Sequence, residues 1–224
     1  MFDLVIFDCD GVLIDSEIIS ARMLIEELAQ LGVLIDLDYV SRHFLGRSYP
    51  TVMAQIRREF GLDLPPAFEE RYRERLLDAF QRDLRVMPGV TEVLDTLAVP
   101  FCVATSSSPR RAAMSLNLTG LRDRVGDRLF TASQVERGKP APDLFLFAAA
   151  SLGCDPARTL VIEDSRTGLR AGLAAGMQVW HFTGGSHFST GPAAFDDADD
   201  ARPHRRFDAF ADFFQTAPAL RRSE

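Results

Sequence analysis

Short runs of apolar residues recur along the chain, and each ends in a polar turn. The first run, residues 4–7 (LVIF), leads directly into Asp8-Cys9-Asp10-Gly11, a pattern typical of a buried parallel strand. Similar runs predict three further strands, at residues 99–104, 159–162 and 178–182. The helical patterns between these runs lie at residues 109–118, 143–152 and 167–175. This alternation predicts an α/β fold, a Rossmann-like parallel sheet core with helices on both faces.

The stretch between the first two predicted strands breaks this alternation because its pattern is almost entirely helical. Ser16 is expected to cap a helix over residues 17–31, whose apolar stripe ends at Gly32. Two further helical patterns follow, at residues 51–60 and 66–80. A helical insertion of this length predicts two domains. They are an α/β core built from residues 1–14 and 86–224, and an inserted α-helical cap built from residues 15–85.

The last forty or so residues carry weaker signals of secondary structure than the rest of the chain. Residues 207–214 have the apolar spacing of a final amphipathic helix. The acidic run at residues 196–200 (DDADD) lacks the spacing and the glycine of an EF-hand, so an exposed loop is expected there.

Composition limits the class of protein. Of 224 residues, 46% are hydrophobic and 25% are charged, as in soluble globular proteins, and the net charge of −7 argues against a nucleic-acid-binding surface. No apolar run approaches the roughly 18 residues of a membrane span, and the N-terminal residues do not resemble an export signal. Three cysteines and four histidines show no metal-ligand spacing, so none is expected to act in catalysis. We expect a cytoplasmic protein, a monomer or weak homodimer, without nucleic-acid or membrane partners.

Four polar clusters follow the predicted strands, at the edge where open α/β sheets bind ligands. The first contains Asp8 and Asp10, whose carboxylates can face one pocket because residues two apart on an extended chain point to the same side. Two such carboxylates repel each other unless a cation lies between them or one is protonated. A nucleophilic carboxylate, a second carboxyl for proton transfer and a divalent metal are therefore expected. The simpler alternative is an ordinary Asp turn.

The other three clusters offer groups that bind phosphate or metal. Residues 105–108 (TSSS) place hydroxyls and backbone N–H groups before a helix, which suits a phosphate. Lys139 is the single lysine among 25 basic residues, which indicates a site that needs a compact ammonium. Glu163 and Asp164 end another strand and supply the hard oxygen ligands that suit Mg²⁺. Each cluster alone also fits a structural role, as a helix cap or an exposed loop.

Together these clusters resemble the motifs of the haloacid dehalogenase-like (HAD) hydrolase superfamily. The motifs occur in the family's order, as residues 7–13 (FDCDGVL), Thr105, Lys139 with Pro140, and Glu163 with Asp164. They resemble in particular the branch with a helical cap inserted after the first motif, which contains phosphoglycolate phosphatase-like enzymes and β-phosphoglucomutase. The resemblance spans essentially residues 2–182. It implies a Mg²⁺-dependent phosphatase that acts on a small phosphorylated metabolite, a sugar phosphate or a phosphorylated sugar acid.

The resemblance also implies the roles of the acidic residues. Asp8 attacks phosphorus and becomes an aspartyl-phosphate. Asp10 protonates the leaving oxygen and then takes a proton from the water that hydrolyses the intermediate. Mg²⁺ is held by Asp8, the backbone carbonyl of Asp10 and Asp164. Glu163 is a direct ligand or a partner of the ligands.

The remaining roles concern phosphate and substrate. By the same resemblance, Thr105, the backbone N–H of Ser106 and Lys139 bind the phosphoryl oxygens. Arg47 lies in a loop between two cap helices that resembles a substrate-contacting loop of relatives, so Arg47 is expected to bind the substrate's far end. Ser107 is expected to contact the substrate as well. An ordinary surface arginine is the alternative for Arg47.

Departures from family patterns rank the possible activities. Haloacid dehalogenases lack a carboxylate at the position of Asp10, so its presence favours phosphoryl chemistry. Phosphonoacetaldehyde hydrolases need a cap lysine, which is absent here, and a phosphosugar mutase of the β-phosphoglucomutase type carries a histidine where this chain has residues 18–20 (IIS). A mutase is therefore the second choice. A non-enzymatic phospho-acceptor signalling domain is the third, and the early Asp8/Asp10 pair and the long helical insertion argue against it.

Overall fold

Six parallel strands form one sheet in the computed structural model, which describes residues 2–62, 64, 66–190 and 201–222. Their order across the sheet is β3-β2-β1-β4-β5-β6. The strands, in chain order, are β1 (Leu4–Phe7), β2 (Phe101–Thr105), β3 (Leu129–Thr131), β4 (Thr159–Glu163), β5 (Gln178–Phe182) and β6 (Arg205–Phe207). The first strand in the chain therefore lies at the centre of the sheet, between β2 and β4.

Helices fill the intervals between the strands. In chain order they are α1 (Glu17–Ala29), α2 (Leu37–His43), α3 (Tyr49–Phe60), α4 (Pro66–Asp83), α5 (Val90–Thr96), α6 (Pro109–Leu118), α7 (Arg122–Val125), α8 (Asp143–Ser151), α9 (Arg166–Ala174), α10 (Ser186–Thr190) and α11 (Phe213–Thr216). Among the helices that the structure describes, none combines the length and the hydropathy of a membrane span.

The sheet is covered on both faces, as the apolar runs predict. Leu4 and Ile6 of β1 belong to one buried cluster, which includes residues of α8 and α9. Val5 and Phe7 point the other way, into a cluster that includes residues of α5, α6 and α11. This alternation follows from the two-residue period of a strand, and both faces need apolar cover because the strand is central. The predicted α/β class is confirmed.

The insertion between β1 and β2 contains α1 to α4, which were expected to be helical. Its two connections to the sheet run side by side, because the N–H of Asp15 donates to the carbonyl of Arg85 at 2.9 Å. Within the insertion, the buried carboxylate of Glu27 on α1 pairs with Arg71 and Arg75 of α4. An ion pair between two packed helices fixes their relative position, since an unpaired buried charge is costly.

The C-terminal part departs from the prediction. Instead of one helix over residues 207–214, Arg205–Phe207 joins the sheet edge as β6 and the chain then forms a 3₁₀ turn, Phe210–Asp212, before the short α11. Phe210 and Phe213 still face the core, because one turn of either helix type spaces them alike. The acidic run at residues 196–200 lies outside the described residues. Strand β3 was not predicted because it has only three residues.

Candidate active site

The candidate catalytic side chains lie at the carboxyl ends of three adjacent strands. Asp8 follows β1, Thr105 ends β2 and Glu163 ends β4. Because β1 lies between β2 and β4, these three residues are neighbours at one edge of the sheet. Lys139 reaches the same edge from the segment before α8, and its ammonium donates to the carbonyl of Ala104 at 2.8 Å. The edge thus gathers one residue from each of the four motifs.

The ammonium of Lys139 makes three hydrogen bonds, one for each of its protons. Besides the bond to Ala104, Nζ donates to Oδ1 of Asp8 at 2.6 Å and to Oε1 of Glu163 at 2.7 Å. Its side chain is 1% exposed and lies over the ring of Phe145. Burial lowers the pKa of Lys139, but Asp8 and Glu163 outweigh this effect and raise the pKa above its ordinary value. The side chain is therefore a permanent cation between two carboxylates.

Glu163 connects Lys139 to the start of α9. Its Oε1 accepts the bond from Lys139, and its Oε2 accepts from the N–H of Asp164 at 3.0 Å and the N–H of Ser165 at 2.9 Å. The hydroxyl of Ser165 donates to the same oxygen at 3.0 Å. Four hydrogen-bond donors occupy this carboxylate. We therefore expect Glu163 to position the metal ligands rather than to bind the metal directly.

An acidic cluster suited to a cation lies beside Lys139. One carboxylate oxygen each from Asp8, Glu163 and Asp164 lies within 4.8 Å of the others. Burial raises the pKa of Asp8 and of Asp164 well above their usual values, and the neighbouring carboxylates add to this while Lys139 opposes it. Oδ2 of Asp164 is buried and accepts no hydrogen bond of adequate geometry from the described residues, although Nε2 of His187 lies 3.2 Å away. These carboxylate oxygens are the hard ligands that Mg²⁺ prefers, and one of them has a lone pair that no hydrogen bond uses.

Gly11 is the residue that lets the first motif lie against this cluster. Its φ is +78°, and a Cβ there would lie 1.8 Å from Oδ2 of Asp164. No residue with a side chain fits so close to a carboxylate oxygen. A glycine is thus needed after the second aspartate for two reasons, its positive φ and the lack of room for a Cβ.

Asp10 lies on the other side of the site, and four side chains donate hydrogen bonds to its carboxylate. Oδ1 accepts from Ser16 Oγ at 2.6 Å and from Arg111 Nη2 at 2.9 Å. Oδ2 accepts from Ser107 Oγ at 2.6 Å and from Thr105 Oγ1 at 3.4 Å. Burial raises the pKa of Asp10, but Arg111 and the hydroxyl donors outweigh it, so the pKa is lowered overall. Asp10 is therefore ionised, the form that accepts a proton.

These bonds change the roles of two predicted residues. Ser16 lies at the N-cap position of α1, as predicted, but its hydroxyl makes no capping bond to α1 and donates to Asp10 instead. Ser107 was expected to contact the substrate, but its hydroxyl also donates to Asp10. The hydroxyl of Ser106 donates to the carbonyl of Gly46 at 3.2 Å. The polar loop after β2 therefore connects the first motif, through Asp10, with the inserted segment, through Gly46.

The inserted helices touch the sheet edge through the loop after α2. Gly46 has a φ of +70°, and a Cβ there would lie 2.3 Å from the hydroxyl oxygen of Ser165. Together with the bond from Ser106, this contact closes the loop onto the ends of β2 and β4. The next residue, Arg47, is exposed and donates to Oε1 of Gln55 at 2.9 Å.

Two cavities lie between the sheet edge and the inserted helices. The inner cavity has an empty volume of about 690 Å³, and Asp8, Asp10, Thr105, Arg47 and Tyr49 are among the residues that line it. The outer cavity, of about 2200 Å³ open to solvent, shares several of these walls, including Arg47 and Tyr49. The predicted phosphate-binding and substrate-binding residues Thr105, Ser106, Ser107 and Arg47 therefore line the inner cavity together, whereas Lys139 lines neither cavity.

Three further residues join the site that no pattern in the sequence predicted. Arg111 contacts Asp10, and its position in the first turn of α6 was the available signal, because a positive charge there opposes the helix dipole. Nε2 of His187 lies 3.2 Å from Oδ2 of Asp164, and burial lowers the pKa of this histidine. Burial also raises the pKa of Glu17, which lines the inner cavity, to about 8.

Comparison with known proteins covers most of the chain. The haloacid dehalogenase-like hydrolase family matches residues 2–176. The 6-phosphogluconate phosphatase of Escherichia coli (strain K12) is 28% identical over 184 residues, which cover 82% of this chain and 83% of that protein.

Solved structures extend the match. A conserved haloacid dehalogenase-like protein of unknown function from Agrobacterium tumefaciens is 34% identical, with a TM-score of 0.82 over 98% of this chain and 99% of its own. A HAD family hydrolase from Deinococcus radiodurans, with bound phosphate and sodium, is also 34% identical, with a TM-score of 0.75 over 98% of this chain and 96% of its own. These matches confirm the resemblance of the motifs, and the chain belongs to the haloacid dehalogenase-like hydrolases.

Proposed function

We propose that this protein is a Mg²⁺-dependent phosphatase that hydrolyses a small phosphorylated sugar or sugar acid through an aspartyl-phosphate on Asp8. The observation that carries the proposal is the buried cluster in which the ammonium of Lys139 bridges Asp8 and Glu163, beside Asp164. Phosphoryl transfer requires a nucleophilic carboxylate close to a fixed cation and to acidic residues that can bind a metal. The name of the E. coli relative, a phosphatase of a sugar-acid phosphate, supports the substrate class.

The bound cation is assigned to Asp8, Asp164 and the backbone carbonyl of Asp10. The unused Oδ2 of Asp164 and the upward pKa shifts of both carboxyls support this assignment, since a cation would favour their ionised forms. When bound, Mg²⁺ supplies positive charge to the phosphoryl group and to the attacking carboxylate. Glu163 is assigned to hold Lys139 and the Asp164 loop.

Asp8 carries the covalent step. An oxygen of its carboxylate attacks phosphorus, the bond between phosphorus and the ester oxygen breaks, and the phosphoryl group is transferred to Asp8. Lys139 offsets the repulsion between this carboxylate and the anionic phosphate. The hydroxyl of Thr105 and the N–H of Ser106, at the end of β2, are assigned to the phosphoryl oxygens.

Asp10 is assigned the proton transfers. It protonates the departing ester oxygen, and it then removes a proton from the water that attacks the aspartyl-phosphate. The ionised form of Asp10, held by Arg111 and Ser16, suits the second of these steps. The first step needs the protonated form of Asp10, and the proton that Asp10 removes from water in the second step restores that form for the next turnover.

The inserted segment, residues 15–85, is assigned the role of a cap that shields the reaction from bulk water. The contact of Gly46 with Ser106 and Ser165 supports this role, because it brings the insertion onto the ends of two strands. Arg47 and Tyr49, which line both cavities from the insertion, are assigned to the substrate's far end.

The core of the proposal is tested by phosphate release from an aryl phosphate and from 6-phosphogluconate, with Mg²⁺ or with EDTA. We expect turnover only with the divalent cation, and none by Asp8→Asn. Asp3→Asn is the matched control, because Asp3 is a surface carboxylate that pairs with Arg158 away from the site. Substantial turnover by purified Asp8→Asn would remove Asp8 from its assigned role.

The same preparation separates hydrolysis from phosphosugar isomerisation. With a hexose 1-phosphate, ³¹P spectra are expected to show growth of inorganic phosphate as the main product. Accumulation of the 6-phosphate without release of phosphate would instead make the protein a mutase.

A further inference from the structure

Arg111 is a partly buried cation, with a side chain that is 23% exposed, placed between the two cavities. It lies in the first turn of α6 and lines both the inner and the outer cavity. The ring of Phe80, from the inserted helices, lies under its guanidinium at 5.3 Å. The stacked ring and the ion pair with Asp10 together fix the plane of the guanidinium.

Only part of the hydrogen-bonding capacity of Arg111 is used. Its Nη2 donates to Asp10 at 2.9 Å and to the hydroxyl of Ser20 at 3.0 Å. Its Nε is buried without a partner, whereas Nη1 makes no bond to the described residues and is not sealed from solvent. A guanidinium has five donors, so the Nη1 pair is left for a ligand.

The acidic lining of the inner cavity determines which ligand the two N–H groups of Nη1 would bind. The described residues that line it include four acidic ones, Asp8, Asp10, Glu17 and Glu163, and burial favours the neutral form of Asp8 and Glu17. A second anionic group on a substrate would be repelled there unless it met a cation. Lys139 has all three protons bonded. Two arginines line the inner cavity, and of these Arg111 is the less exposed, whereas Arg47 is exposed and donates to Gln55.

We infer that Arg111 is a specificity-determining residue that binds a carboxylate at the far end of the phosphorylated substrate. The inference rests on the proposed phosphatase function and narrows its substrate class to phosphorylated sugar acids. A carboxylate is favoured over a hydroxyl because it meets the positive charge of the guanidinium with a full negative charge, whereas a hydroxyl offers only a dipole. Tyr49, whose hydroxyl is buried and unpartnered, lines the same cavities and suits the hydroxylated chain of such a substrate.

The test compares two substrates that differ only at the far end, 6-phosphogluconate and sorbitol 6-phosphate. We expect the native protein to prefer the acid, mainly through KM. Arg111→Gln should lose about tenfold or more in kcat/KM for the acid beyond its loss for the neutral substrate. Arg58→Gln is the matched control, because Arg58 is exposed and lines neither cavity, and its kcat/KM for each substrate should stay within about twofold of the native value.

A second measurement needs no variant. D-gluconate, which has the carboxylate but no phosphate, should inhibit the native protein competitively, and D-sorbitol at the same concentration should not. Equal losses for both substrates in Arg111→Gln would mean that Arg111 only positions Asp10, and equal inhibition by the two polyols would likewise overturn the inference. Either result leaves the phosphatase proposal standing if phosphate is released. No release from any phosphate ester would refute the phosphatase proposal itself.

Discussion

Replacing Lys139 with Met should destabilise the protein strongly, and by an amount that depends on pH. The ammonium is the charge partner of two buried carboxylates, with Nζ at 2.6 Å from Asp8 and 2.7 Å from Glu163. Met fills a similar volume and keeps the contact with the ring of Phe145, so loss of packing is small. The substitution therefore isolates the loss of charge.

The size of the effect follows from leaving carboxylates buried without their cation. Removing one partner of a buried ion pair costs about 3–5 kcal/mol. That is a large share of the roughly 5–15 kcal/mol by which domains are stable. With a urea dependence near 3 kcal/mol per M, the unfolding midpoint should fall by about 1–2 M.

The pH dependence has a definite sign. Burial already raises the pKa of Asp8 in the folded protein, and Lys139 is the group that lowers it, so the variant's Asp8 pKa rises further. A carboxyl with a raised folded pKa binds its proton more tightly in the folded state. The deficit relative to the native protein therefore opens as the pH rises past the folded Asp8 pKa of the native protein, and it grows until the pH passes the higher folded pKa of the variant. The deficit of Lys139→Met should be larger at pH 8 than at pH 5.

Urea unfolding of both proteins in EDTA, at pH 5 and pH 8, measures this difference. The double variant Lys139→Met/Glu163→Gln is the internal check, because it removes one of the two unpaired carboxylates and should be more stable than the single variant at pH 8. The same deficit at both pH values, with no recovery in the double variant, would show that the loss comes from packing and would refute the electrostatic reasoning.

Two more predictions concern loop closure and acid stability. Gly46→Ala puts a Cβ 2.3 Å from Ser165, so kcat/KM should fall at least tenfold, whereas Gly61→Ala, with a similar φ of +61° and open space, should keep its activity. The pKa of His181 is lowered to about 4 by burial, although its bond to the carbonyl of Asp164 opposes this. The unfolded chain therefore binds the extra proton, and stability should fall by about 3 kcal/mol as the pH drops from 6.5 to 4. Urea midpoints should show that this part of the fall is absent from His181→Gln.

Four of the six strands and the motif positions were predictable because each depends on short-range chemistry. The run at residues 4–7 has to be a central strand, since both of its faces are apolar. Once the strands are parallel, their carboxyl ends meet at one edge, so Asp8, Thr105 and Glu163 converge without any knowledge of the loops. Composition drew attention to Lys139 as the single lysine, and the rigid Gly-Lys-Pro segment around it favoured a functional role.

The residues that the sequence did not reveal depend on long-range contacts. Arg111 is 101 positions from Asp10, and nothing near it in the chain indicates which partner it will meet. Ser16 shows how a tertiary contact overrides a local preference, because a serine before a helix usually caps it, whereas here a buried carboxylate takes the hydroxyl. His187 lies on a five-residue helix beyond the last motif, with no periodic pattern to place it beside Asp164.

The single lysine in an arginine-rich chain has a geometric reason. The three oxygens that Lys139 contacts belong to Asp8, Glu163 and the carbonyl of Ala104, and all lie 2.6–2.8 Å from one nitrogen. An ammonium can point one proton at each of three oxygens around a single centre, whereas the donors of a guanidinium spread in a plane over three nitrogens. Arginine would keep the charge but would have to displace Asp8 or Glu163 to fit. The identity of this residue is thus set by the arrangement of its acceptors as well as by its charge.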